Sequence, residues 1–244
     1  MNDLRQVDSW LTRHSLRERS AELGLAPSPG QFSQLRDYSD LLLKWNRTYN
    51  LVGAKTPTVL VNEHLLDCLA IIPTLHQRLV ASQSILIDMG SGGGLPGIVI
   101  AIMMPALEVV LVEPVSKKTA FLLQARAICH LPNVTVAECR MADLEHSIIF
   151  NPMAERLTLR SQRHFSSRAF AEMKRLIAEA HPHAIPGSRL FAMKSARLAS
   201  ELDGLQASTI LVHELAVPGL ASPRYLAEID LALPPQATAS GIPS

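Results

Sequence analysis

The residues best suited to chemistry stand in one run, Leu86-Ile-Asp88-Met-Gly90-Ser-Gly92-Gly-Gly94-Leu-Pro96-Gly97. Glycines adopt backbone angles closed to other residues and let a ligand lie against the main chain. The run comes after an apolar strand and opens a helix, the setting in which such a turn cradles a nucleotide. Two ligand classes compete. Gly92, Gly94 and Gly97 match the G-x-G-x-x-G spacing of a dinucleotide site, with pyrophosphate on the helix N-terminus. Asp88 argues the other way. A carboxylate at a strand end repels pyrophosphate and suits a cationic ammonium, directly or through water. Pro96 also removes one amide near the helix start. The pattern favours a zwitterionic cofactor over a dinucleotide.

Glu113 ends the next strand, 23 residues after Gly90. An acid at that place accepts hydrogen bonds from both ribose hydroxyls. Asp88, the glycine turn and Glu113 together point to S-adenosylmethionine. An NAD(P)-dependent oxidoreductase is the remaining alternative from the turn alone.

The elements that must position these residues read as α/β. Apolar stretches predict strands at Ser84–Asp88, Glu108–Glu113 and Asn133–Glu138. Helices are expected over Ile98–Met104 and Ser116–His130. The alternation implies a doubly wound parallel sheet with right-handed crossovers. Further strands are expected at Ser188–Lys194, Ser208–Leu215 and Arg224–Leu231, one of them antiparallel near the C-terminus. The expected fold is therefore a Rossmann-like class I sheet over residues 81–233. Residues 1–80 read as a helical extension. Its helices run from Gln31 to Asn46 and from Val59 to Ile72, stopping before Pro73. They carry apolar faces that must pack on the sheet domain. Residues 234–244 hold no core material and are expected to be a disordered tail.

Composition excludes several classes. The 244 residues are 48% hydrophobic and 18% charged, which is neither a disordered nor a collagen-like chain. Cys68, Cys129 and Cys139 form no C-x-x-C pair, so no disulfide framework or zinc ribbon is expected. His181 and His183 lack a third ligand nearby, and no metal is expected. The start, Met1-Asn2-Asp3-Leu4-Arg5, shows no apolar run of a signal peptide. The uncharged stretch from Met89 to Leu107 carries too many glycines and prolines for a membrane helix. A soluble cytoplasmic protein is expected.

Beyond the glycine turn, the sequence resembles the RsmG (GidB) family of 16S rRNA guanine-N7 methyltransferases. The likeness runs through Lys44-Trp45-Asn46-Arg-Thr-Tyr49-Asn50-Leu51-Val52 and Asn62-Glu63-His64-Leu-Leu-Asp67-Cys68. It continues through Gly94-Leu95-Pro96-Gly97, Lys117-Lys118-x-x-Phe121-Leu122, Ser167-Arg168-Ala169-Phe170 and Phe191-Ala-Met-Lys194, covering about residues 30–195 in order. The resemblance implies S-adenosylmethionine contacts at Gly90, Leu95, Glu113, Met141, Ala142 and Arg168, beside Asp88 and Gly92 from the turn itself. It implies that Arg168 ends the fourth strand, faces the active site and serves catalysis. Lys117, Lys118, Arg140 and Lys194 are candidates for RNA phosphate contacts. Trp45, Tyr49 and His64 read as packing residues. The implied partner is 16S rRNA within a 30S particle, and a monomer is expected.

Two departures from the family pattern stand out: the acid expected one or two places after Arg140 is shifted to Asp143, behind Met141-Ala142, and the stretch between Leu144 and Ser167 is longer than the family's link. A family member reads F-D-x-V-x-S-R where this chain reads Gln162-Arg163-His164-Phe165-Ser166-Ser167-Arg168, so the aspartate is absent. Arg156-Leu-Thr-Leu-Arg160 offers an alternative strand. A catalytically silent rRNA-binding protein is the second functional alternative. The formal net charge of +1 averages unlike regions. Residues 151–175 carry six Lys/Arg against two Glu, whereas 200–244 carry one Arg against five acids. A local basic face can exist within a neutral total.

Overall fold

A computed structural model describes residues 15–145, 162–168, 171–203, 205 and 209–231. The expected tail and the Arg156–Arg160 segment lie outside the described residues. The strands are β1 (Ser84–Met89), β2 (Glu108–Val112), β3 (Val134–Ala137), β4 (Gln162–Arg168), β5 (Arg189–Lys194), β6 (Ile210–Leu215) and β7 (Arg224–Asp230). They form one seven-stranded sheet in the order β3-β2-β1-β4-β5-β7-β6. The strands from β3 across to β5 are parallel, and β7 runs antiparallel to both β5 and β6. One antiparallel strand near the C-terminus is what the sequence predicts.

Side chains alternate across the sheet because a strand repeats every two residues. Leu86, Val109, Leu111, Phe191, Met193 and Leu226 point into one apolar cluster. Ile85, Ile87, Val110, Val112, Phe165, Leu190 and Ile229 point into another on the opposite face. Three helices of the N-terminal part, α1 (Ser15–Glu22), α2 (Pro29–Tyr49) and α3 (Pro57–Arg78), share the first cluster with the sheet. So do α4 (Gly97–Met103) and α5 (Ser116–Ile128). The second face is covered by α6 (Met173–Ala180) and α7 (Leu198–Leu202).

Helix α2 starts where its own residues dictate. Ser28 caps it and forms a capping box with Gln31, while Pro29 sits at the first position, where a missing amide costs nothing. The Gln31 side chain also donates to the Ile102 carbonyl at 2.9 Å, tying α2 to the end of α4. Helix α3 runs past Pro73, contrary to the sequence expectation that it stops there. Pro73 falls in the first turn of a renewed helical segment, Ile72–Arg78, where the proline ring is tolerated. The stretch Pro57–Arg78 is long and apolar enough to cross a membrane by length and composition, yet Leu60, Val61, Leu65, Leu66 and Leu69 all lie in the core.

Candidate active site

The glycine turn joins β1 to α4 at the carboxyl edge of the sheet. Two of its glycines are needed for different reasons. Gly94 has a φ of +83°, the left-handed region that favours glycine, and a Cβ there would stand 2.7 Å from Ile98. Gly97 needs closeness instead: a Cβ would stand 2.3 Å from Leu111 Cδ2 and 2.7 Å from Asp88 Oδ2. That closeness lets the Gly97 amide donate to Asp88 Oδ2 at 3.3 Å, which seats the start of α4 on β1. Ser166 on β4 donates to the other carboxylate oxygen at 2.9 Å. From below, the Tyr38 hydroxyl on α2 donates to the Gly93 carbonyl, and Val52 and Leu51 close against Gly93. Asn46 holds that 51–54 loop by accepting from the Val52 amide and donating to the Ala54 carbonyl.

Tyr38 is fully buried, so Tyr38→Phe leaves the Gly93 carbonyl without its donor. A loss of about 1–3 kcal/mol in unfolding free energy is expected, the penalty for an unsatisfied buried acceptor. Urea unfolding of the two proteins checks it.

Beside the turn, Glu113 comes directly after β2 and is 3% exposed. Its carboxylate accepts from the Gly92 amide at 2.9 Å and the Val115 amide at 3.0 Å. A carboxylate has roughly four acceptor sites, so two remain for a pair of hydroxyls. In front of Gly92 a Cβ would meet only the Gly90 carbonyl, at 3.7 Å, so the space against the backbone is open. The donor set and the open backbone face fit an adenosine bearing a charged tail. Met141 and Ala142 lie beyond β3 in a tight helical turn. Met141 belongs to the apolar cluster that holds Met89, Val112 and Ala137, and Ala142 is exposed. The Glu113 amide donates to the Ala137 carbonyl at 3.1 Å, so the ends of β2 and β3 lie side by side. Leu95, at 7% exposure, completes the turn. The structure thus gathers Asp88, Gly90, Gly92, Leu95, Glu113, Met141 and Ala142 at the carboxyl ends of three adjacent strands.

Asp88 is buried, which pushes its carboxyl up to about 6, against the pull of its hydrogen bonds to Ser166 and Gly97. Between the ordinary carboxylate value and about 6, the folded chain holds a proton that the unfolded chain has released. This group's contribution to stability is therefore greatest at acid pH and falls as pH rises through about 6. Binding of a cation has the opposite sign, because it requires the ionised form. Affinity for S-adenosylmethionine is expected to fall as pH drops below about 6, approaching tenfold per unit. Asp88→Asn should flatten that dependence and weaken binding at pH 8. Calorimetric titration from pH 5 to 8 checks both.

Arg168 ends β4, next to Asp88 and the turn. Its guanidinium is turned to α3. Nε donates to Asp67 at 3.1 Å, and Nη2 reaches the Glu63 carbonyl at 3.1 Å and His64 Nδ1 at 2.7 Å. His64 is held at about 4 by burial and by the Arg168 charge, so it is a neutral acceptor. Asp67 also faces Arg224 at 3.6 Å; burial raises its carboxyl and the two arginines oppose that. These partners stand in a π-helical turn and just beyond it, at Leu60–Leu65 and Asp67, a local widening common at functional sites. His64 and Asp67, three apart, fall on one helix face, the signal from which this pair could be read, while Glu63 contributes its backbone carbonyl.

The remaining candidates divide. Lys118 Nζ lies 3.9 Å from Glu113, and the Lys117 ammonium sits 5.8 Å from the Tyr49 ring centre. Arg140 is exposed beside Met141. Lys194 is a correction: its side chain is 7% exposed and its ammonium is held by Glu201 at 2.5 Å and the Ala171 carbonyl at 2.7 Å. It is an internal ion pair rather than a phosphate contact. The expected basic face over 151–175 is also reduced, since Arg163 binds Glu145 and Arg175 binds Glu179. The missing family aspartate corresponds to Arg163, which pairs in register with Ile85 near the start of β4. It stands five residues from Arg168, roughly 16 Å along the strand, at the far edge from the site.

The strand order, the glycine turn and the acid after β2 define a class I S-adenosylmethionine-dependent methyltransferase. The METTL16 methyltransferase domain shares the fold, with a TM-score of 0.51 at 12% identity over 94% of this chain and 92% of that one. The family model for rRNA small subunit methyltransferase G, GidB, matches residues 31–225. Ribosomal RNA small subunit methyltransferase G of Burkholderia thailandensis is 36% identical, covering 88% of this chain and 90% of the relative. The protein of that name from Cupriavidus pinatubonensis is 35% identical, covering 90% and 94%. The chain belongs to the GidB family.

Proposed function

We propose that this chain methylates N7 of a guanine in 16S rRNA within the 30S particle, using S-adenosylmethionine. The observation that carries the reading is that the two titratable side chains in contact with Arg168 among the described residues are both engaged by it. His64 and Asp67 are both taken up by the guanidinium, so neither stands ready to remove a proton. Guanine N7 needs none, because its in-plane lone pair is a nucleophile at neutral pH. S-adenosylmethionine, when bound, supplies a methyl group on a sulfonium whose leaving thioether is neutral. The residues then have to bind, align and exclude water. Glu113 takes the ribose hydroxyls, Asp88 shapes from beneath the turn that receives the cationic tail, and Met141 and Ala142 flank the adenine. Arg168 stands between the turn and α3 and orients what enters there. Alignment of this kind is worth roughly 7–11 kcal/mol of barrier. The protein acts as a monomer in the cytoplasm on this reading.

The test is transfer of a labelled methyl group to 30S particles from cells that lack the modification, with protein-free 16S rRNA in parallel. Label in 16S rRNA is expected. Cofactor binding with no label in any RNA would overturn the reading in favour of a silent rRNA-binding protein.

A further inference from the structure

We propose that a groove beside the C-terminal half of α2 is a docking track for single-stranded RNA that flanks the methylated guanine, an inference that rests on the rRNA reading above. The groove encloses about 1280 Å³ between α2, residues 54–58 and the flank of α5 at Gln124 and Ile128. That exceeds the usual range of a small-molecule pocket, roughly 300–1,000 Å³. Its charge is graded along α2. Asp37, which pairs with Arg36 at 3.2 Å, and Asp40 line one end. Lys44, Arg47 and Lys55 line the other, and all three are exposed. Positions 37, 40, 44 and 47 have the three-and-four spacing of one helix face, so the gradient is a property of the helix.

The basic end leads to the cofactor. Tyr49 is 45% exposed, with Trp45 tilted against it at 5.1 Å and the Lys117 ammonium over its ring. Trp45 is fixed by its indole N–H donating to Gln124. Lys117 adjoins Lys118, whose ammonium is 3.9 Å from Glu113. Tyr49 follows the groove at the C-terminal end of α2, and Lys117 and Lys118 stand between its ring and Glu113. Stacking on an aromatic ring, with phosphates tracking nearby cations, is how single-stranded nucleic acid is held. An acidic peptide would make no use of the exposed Tyr49 ring.

The test uses the full chain and a protein-free 16S rRNA fragment, with affinity measured against salt. Replacing Lys44, Arg47 and Lys55 together by alanine should lower the slope of log K on log salt by about 2, since each single-strand phosphate contact adds roughly 0.7. Tyr49→Ala should weaken RNA binding about tenfold, and Tyr49→Phe should restore it. S-adenosylmethionine affinity should match the wild type in every variant. Unchanged slope and affinity, with wild-type RNA binding intact, would overturn the groove alone. Losses seen only on whole 30S particles would assign the groove to a ribosomal protein and overturn the RNA track. A wild-type chain that binds neither the protein-free fragment nor whole 30S particles would remove the functional reading and the groove with it.

Discussion

Arg168→Ala is expected to lower methyl transfer by about two orders of magnitude and to destabilise the fold by about 3 kcal/mol. The two losses share one cause. The guanidinium joins β4 to α3 through Asp67, the Glu63 carbonyl and His64, across more than a hundred residues of chain. Asp67 is 5% exposed, and without Arg168 only Arg224, at 3.6 Å, faces its charge. Removing one partner of a buried pair leaves an uncompensated carboxylate, which is why the stability loss is large. The sequence resemblance implied a residue that serves catalysis; the contacts to Asp67, Glu63 and His64 give it a part in the fold as well. Arg168→Lys separates them. A lysine keeps a charge near Asp67 but cannot reach three acceptors with a planar fork. It should recover most of the stability while transfer stays low. Urea unfolding and single-turnover methylation of the two variants check this, and near wild-type turnover in Arg168→Ala would remove Arg168 from the site.

Gly97→Ala is expected to cost at least about 1–3 kcal/mol and to abolish measurable cofactor binding. The methyl group would land 2.3 Å from Leu111 on β2 and 2.7 Å from the Asp88 carboxylate. Both neighbours are in strands of the central sheet and neither is at the loose end of a surface chain. The first turn of α4 must then lift from β1, breaking the Gly97–Asp88 bond that shapes the turn. Gly93 is the internal comparison: its nearest neighbour is a Val52 methyl at 3.0 Å, in a loop that can give by a few tenths of an ångström. Gly93→Ala should therefore be the milder change. Thermal unfolding with and without S-adenosylmethionine ranks the two.

The parts of this fold that were legible in the sequence are those where local pattern and burial agree. Strands β1, β2 and β3 are apolar runs because both faces of the sheet are covered, and the glycine turn needed only its own residues to be recognised. Strand β4 was harder. It lies between β1 and β5 yet reads Gln-Arg-His-Phe-Ser-Ser-Arg. Three of its polar side chains meet groups on neighbouring strands: Ser166 bonds Asp88, Gln162 bonds Ser84, and His164 Nδ1 accepts from the Arg189 amide. No local pattern announces partners so far off in sequence. Lys194 illustrates the same limit. It looks like a phosphate-binding lysine at a strand end, and only the packing of α7 against β5 brings Glu201 onto it. The groove along α2 was hidden for the converse reason, since Tyr49 sits among residues that read as packing and its exposure is set by where the helix ends.

Methyl transfer to N7 carries a chemical signature. A guanine methylated at N7 has a positively charged ring that borohydride reduces and aniline then cleaves, whereas methylation of an exocyclic amine or a ribose leaves the strand intact. The measurement is therefore strand scission of 16S rRNA after incubation of unmodified 30S particles with this protein and S-adenosylmethionine. One aniline-sensitive guanine, absent when either component is withheld, is the expected result. Methyl label in the RNA with no scission would contradict transfer to N7, and with it a site that works without a general base.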